Sequence, residues 1–180
     1  MKKVLFYVVL SLILSSCATT PANKIPEIFM NNNVEGMIVG TISIEDRRPI
    51  FNQYFLHYDL EGENNVSMWR MITIRPEQII RLKLHPDFRD GGKAVYLFSV
   101  KATAGDYHFS KMRLHDNGGS LYQRSYNIPI NFPFKIEPGK VKYFGEIYLD
   151  FKGDVLMLSN KKERDLKYFE QRFPGLKIVE

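Results

Sequence analysis

Residues 94–114 read AVYLFSVKATAGDYHFSKMRL. Ala94–Lys101 and Tyr107–Leu114 are two runs of strand length, rich in aromatic and β-branched side chains, separated by the break Ala104-Gly105-Asp106. Gly105-Asp106 supplies a tight turn, so the stretch reads as strand, turn, strand.

The same grammar continues in both directions. Toward the C-terminus, Leu121–Ile128, Asn131–Ile136 and Val141–Leu149 follow, with Asp116-Asn117-Gly118-Gly119 and Pro129 at the breaks. Pro138-Gly139 suits a type II turn, with proline at the second position and glycine at the third. Val141, Tyr143, Gly145, Ile147 and Leu149 fall on one face of a regular strand, and Gly145 inside it marks a bulge or a close approach. Toward the N-terminus lie Met37–Ile44, Asn52–Leu60 and Val66–Ile74, in which Met68, Arg70 and Ile72 alternate with Trp69, Met71 and Thr73. Ile79–Leu84 reads as a strand or a short helical turn after Pro76, and His85–Gly92 reads as a loop. Strands this short, with turn signals about every ten residues, predict a mainly β protein built as an antiparallel β-sandwich, with a small barrel as the alternative. No strand-helix-strand alternation suggests a parallel doubly wound sheet.

The end of the chain changes period. Asn160 with Glu163 has the form of a capping box, Leu166, Phe169 and Phe173 recur at helical spacing, and Pro174-Gly175 stops the run. This predicts one short amphipathic helix over about 160–173, packed on the sheet; the acids Glu163, Asp165 and Glu170 interrupt any basic face that would suit a membrane.

The first residues carry a different message. Lys2 and Lys3 precede an apolar run, Val4–Leu14, broken only by Ser11. As a helix such a run extends roughly 16 Å, too short for a hydrocarbon core of about 30 Å, so it reads as an export signal. It closes on Leu14-Ser15-Ser16-Cys17, which resembles the lipobox of bacterial lipoproteins. That resemblance implies cleavage before Cys17, a diacylglyceryl group on its thiol and acylation of the new amine. Cys17 is the single cysteine; it cannot form an internal disulfide, and lipidation gives the thiol a purpose. By analogy with Gram-negative lipoprotein sorting, Ala18 in place of an aspartate points to the outer membrane, facing the periplasm. The expected organisation is a signal peptide over 1–16, the lipidated Cys17 with a tether through Asn33, and one domain over 34–180. The tether holds Pro21, Pro26 and Asn31-Asn32-Asn33, with Ile28, Phe29 and Met30 as residues that could dock on the domain.

Composition excludes several functions. The formal charge of +5 falls to +3 without Lys2 and Lys3, and groups such as Arg47-Arg48 and Lys161-Lys162 alternate with acids, so nucleic acid is not an expected partner. His57 and Asp59 share a strand face, as do Asp106 and His108, but no third ligand stands at useful spacing; His108 and His115 have opposite parity on a regular strand. No serine sits in a Gly-x-Ser-x-Gly elbow, and Cys17 is consumed by the anchor. Acid pairs such as Glu61/Glu63 and Asp87/Asp90 lie in turns. No catalytic residue, metal or cofactor is therefore assigned. The expected role is non-enzymatic, binding or structural, with a hydrolase using a loop such as His85–Gly92 as the alternative. Tyr122, Tyr126, Phe132 and Phe134, clustered around Pro129 and Pro133, form a candidate partner edge for an envelope protein or a glycan, because prolines favour edge strands.

Three segments together resemble a group of uncharacterised β-rich envelope lipoproteins from Gram-negative bacteria: Ala104-Gly105-Asp106-Tyr107, residues 134–145 (FKIEPGKVKYFG) and residues 165–176 (DLKYFEQRFPGL). The resemblance implies a sandwich of immunoglobulin-like or transthyretin-like character and transfers no catalytic residue.

Overall fold

The computed structural model describes residues 24–30, 32–47, 50–63, 69–76, 85–117, 122–150 and 155–179. The signal segment, Cys17, Arg48 and the candidate strand 79–84 lie outside these residues.

Two sheets face one another, and one helix covers the outer face of the larger. The strands are β1 (Glu35–Glu45), β2 (Gln53–Leu60), β3 (Met71–Ile74), β4 (Phe88–Asp90), β5 (Lys93–Thr103), β6 (Gly105–Asn117), β7 (Gln123–Ile136), β8 (Val141–Leu149), β9 (Leu156–Ser159) and β10 (Ile178–Val179); the helix α1 spans Lys162–Arg172. The first sheet has six strands, ordered β10-β8-β1-β5-β4, with β9 also paired to β8; the second is ordered β3-β2-β6-β7. The fold is thus a β-sandwich and not a barrel.

The first sheet is not purely antiparallel. β1 pairs antiparallel with β5 but parallel with β8, and β10 is also parallel to β8. The connection from β1 to β8 runs through the other sheet, which supplies the long crossover that a parallel pair needs. Two further expectations change. Residues 85–92 contain the short strand β4, joined to β5 by Gly91-Gly92, whose φ of 53° and 77° suit a two-residue hairpin turn. Pro129 does not break the chain: β7 runs unbroken from Gln123 to Ile136 through Pro129 and Pro133, since it is the sheet's edge strand and pairs only with β6 among the described residues.

The main core lies between the sheets and centres on aromatic rings. Phe98 and Phe144 come from the larger sheet, Phe109 and Phe134 from the smaller. Phe109 meets Phe134 at 4.7 Å and Phe144 at 5.0 Å, and Phe98 at 5.9 Å edge-on. At such separations each pair adds about 0.5–1.5 kcal/mol to its burial. A second core lies under α1, where Phe169 packs among Met37, Val39, Val95, Leu97 and Val141. β1 serves both: Ile38, Ile42 and Ile44 belong to the first core, Met37 and Val39 to the second, which explains its nearly continuous burial. Ile25 and Phe29 pack against the second core, and Ile28 bridges to Gly175, so part of the segment before Asn33 docks on the domain.

The corners obey local chemistry. Only Ala104 separates β5 from β6, and the Tyr107 hydroxyl donates back across that corner to Thr103 O at 3.0 Å, as in the tyrosine corners of other sandwiches. Gly139 has φ 70° and Lys140 N donates to Glu137 O at 3.3 Å, the expected type II turn.

Two bulges reset the strand period. Ser110 is an extra residue in β6 against β2, and Phe144 is an extra residue in β8 against β1. Tyr107 and Phe109 face the main core before the first bulge, and Met112 and Leu114 after it. In β8 the single face predicted from alternation is therefore split. Val141 lies in the second core, while Phe144, Ile147 and Leu149 pack in or against the first.

Candidate functional site

Beneath α1 the structure assembles a buried polar cluster that strand alternation conceals. Asp165 and Glu146 are both fully buried. Asp165 Oδ2 accepts from Thr41 Oγ1 at 2.8 Å and from Tyr143 OH at 2.6 Å. Arg164 reaches Asp165 Oδ1 at 2.6 Å, Glu146 Oε1 at 2.8 Å and Asp90 Oδ2 at 2.8 Å. Ser159 Oγ donates to Glu146 Oε2 at 3.1 Å.

These contacts decide protonation. Burial alone would raise the Glu146 carboxyl, but Arg164, the nearby Ser43 hydroxyl and Lys93 outweigh it and hold the group below its usual value. Ser43 Oγ is itself buried without a well-formed hydrogen bond. Burial first, and then the Asp165 carboxylate, push the Tyr143 phenol well up, so it stays a neutral donor. Both buried carboxylates find hydrogen-bond and ion-pair partners within the cluster, and it acts as a clamp between α1 and the sheet. Two shallow recesses lie beside it, one of about 500 Å³ along Asn160–Arg164 and one of about 420 Å³ reaching Tyr143, Phe144, Leu158 and Val179.

The helix start and stripe differ in detail from expectation. Asn160 Oδ1 accepts from Lys162 N at 3.0 Å, but the reciprocal bond of a capping box is absent. Phe169 is buried as predicted. Its partner at i−4 on the buried stripe is Asp165, while Leu166 and Phe173 are only half-buried. Tyr168 stacks on Phe88, ring centroids 3.6 Å apart.

The histidine pairs meet on the outer face of the smaller sheet. Asp59 stands opposite His108 and His57 opposite Lys111. Because of the bulge at Ser110, His108 and His115 share that face despite their parity. His115 Nδ1 lies 2.8 Å from Ser125 Oγ. Burial, then Lys111 and Arg113, depress the His57 pKa against the opposing pull of Asp59, so its imidazole is neutral. His57 Nε2, Asp59 Oδ1 and Arg113 Nε are buried without hydrogen-bond partners. Among the described residues no group of three or more His, Cys, Asp and Glu is placed to hold a metal.

The aromatic edge divides. Tyr122 and Tyr126 are 51% and 52% exposed at the free end of the β6–β7 hairpin. Phe134 is in the main core, stacked on Tyr107, and Phe132 packs against that core. In the loop suggested for hydrolysis, Asp87 is held by Arg172 and by Leu97 N, and Asp90 by Arg164. Cys17 lies outside the described residues, and no described helix is long and apolar enough to cross a membrane.

No protein-family model and no curated protein matches the chain. Among solved structures it is similar to a leucine-rich repeat protein from Bacteroides thetaiotaomicron VPI-5482, at 10% identity and a TM-score of 0.35. The match spans 68% of this chain and 14% of that one.

Proposed function

We propose that the protein is a lipid-anchored lipoprotein of the bacterial envelope, fastened to the outer membrane through Cys17, whose sandwich has a non-enzymatic binding or structural role. The observation that carries this reading is Leu14-Ser15-Ser16-Cys17 at the end of a short apolar run behind Lys2-Lys3, with no other cysteine in the chain. The resemblance of residues 104–107, 134–145 and 165–176 to β-rich envelope lipoproteins agrees with it. Two or more acyl chains make release slow, whereas one gives only marginal binding. Since the described, docked segment begins at Lys24, the span from Cys17 is at most about 25 Å at full extension, which keeps the domain close to the bilayer. Confinement to a surface raises the effective concentration of any partner, so a weak contact suffices. The exposed Tyr122 and Tyr126 are the side chains of the aromatic edge available for that contact, to an envelope protein or a glycan ring.

The test is metabolic labelling with an alkyne fatty acid, followed by membrane fractionation. The native chain should incorporate label and sediment with the outer membrane. Cys17→Ser should lose both label and sedimentation; a labelled or membrane-bound Cys17→Ser protein would sink the anchor reading.

A further inference from the structure

The exposed sheet edges are protected unequally. β7 carries Pro129 and Pro133 with Arg124 and Lys135, the usual devices against edge pairing. β4 is three residues long, and Arg89 and Asp90 are tied into ion pairs with Asp46 and Arg164. The outward residues of β3, Met71 and Thr73, are half-buried. β9 is as short as β3 but has neither the prolines and charges of β7 nor the ion pairs of β4. From Val155 to Asn160 it contains no charge and no proline, and Val155, Met157 and Leu158 are 43%, 49% and 42% exposed. β9 pairs with β8 on one side and with nothing on the other among the described residues.

Among the described residues its ends are oppositely charged. Asp150 Oδ1 accepts from Val155 N at 3.0 Å, which fixes a carboxylate at the start of the strand, and the exposed Lys161 follows its end. A strand with an acidic start, an apolar middle and a basic finish is complementary to its own antiparallel copy.

We propose that β9 is a homodimer interface: two copies pair β9 antiparallel about a two-fold axis and join their six-stranded sheets into one. In the register centred on Leu158, whose two copies face each other across the axis, Met157 of each copy lies opposite Ser159 of the other and Val155 opposite Lys161. The Asp150 end of each copy then approaches the Lys161 end of the other, and among the described residues no like charges are opposed. The recess of about 420 Å³ lined in part by Leu158, Ser159 and Val179 borders the same edge, beside the position of the partner's Met157, a pliable gap-filler. A pairing this short makes a reversible dimer, well below the contact area of an obligate one.

Sedimentation equilibrium of the full chain in excess detergent tests this, alongside Met157→Lys and Cys17→Ser. The native chain should shift from monomer to dimer mass with rising concentration. Met157→Lys should weaken association at least tenfold with unchanged thermal unfolding, since the side chain is half-exposed and the lysine only charges the edge. Cys17→Ser should dimerise like the native chain, so the result is independent of the lipid anchor. A native chain that stays monomeric, a dimer indifferent to Met157→Lys, or a dimer lost only in Cys17→Ser would each overturn the proposal.

Discussion

Arg164 touches three carboxylates, those of Asp90, Glu146 and Asp165, two of which are fully buried. A buried ion pair adds little over a well-packed apolar replacement, but removing one partner strands the other. Arg164→Ala should therefore cost about 3–5 kcal/mol, the scale of an uncompensated buried charge. The pH dependence follows from the causes at Glu146. With Arg164 present its pKa lies below the ordinary value near 4.3, so its stabilisation is complete above that pH and fades only as pH falls through the depressed value. With Arg164 removed, burial dominates and the pKa rises. The variant should then recover part of its deficit on acidification from pH 7 to pH 5, as the stranded carboxyl takes up a proton. Urea midpoints of both proteins at the two pH values check this; a deficit constant with pH would mean that Glu146 is not a stranded charge.

At the scale of elements, the bulges decide which face each strand presents. Gly145 has φ 140°, and a Cβ there would lie 3.0 Å from Leu158 Cδ1 and from Ser159 O. Gly62 also has positive φ, 78°, but nothing within 4 Å of its would-be Cβ. Gly145→Ala should cost at least about 1–3 kcal/mol from backbone strain alone, and more than Gly62→Ala, because β9 must also move. Equal losses in the two variants, measured by denaturant unfolding, would show that the contact with β9 carries no energy. The same bulges set what could be read in advance. Periodicity placed β1, β2, β5, β6 and β8 because their apolar runs are long, and Gly145 announced its irregularity because glycine is costly in a regular strand. Ser110 gave no such signal, so the common face of His108 and His115 stayed hidden. Glu146 was concealed likewise, since the bulge before it exchanges the inward and outward positions of β8. β9 and β10 were too short to show a period. Asp165 left one legible trace, an acid four residues before Phe169 on the buried face of the helix.

At the scale of the molecule, two cores share one sheet. The core under α1 and the core between the sheets are separated only by β1, β5 and β8, and β1 is buried on both faces. Residues from either core sit on the same backbone: Met37 beside Ile38, Val95 beside Tyr96, Leu97 beside Phe98. Opening the outer layer therefore exposes one face of the strands that hold the other core, and the layers should unfold as one unit rather than as separate foldons. Phe169→Ala isolates this coupling, since Phe169 is fully buried in the helix layer and belongs to the outer core alone. Truncating it should cost about 3–5 kcal/mol. If the unit is single, amide hydrogen exchange in β2 and β6, on the far sheet, should lose protection by the same free energy as exchange in α1. At 1.4 kcal/mol per decade that is roughly two to three and a half orders of magnitude in protection. A loss confined to α1, with β6 as protected as before, would instead make the helix a separable layer over a sandwich that folds without it.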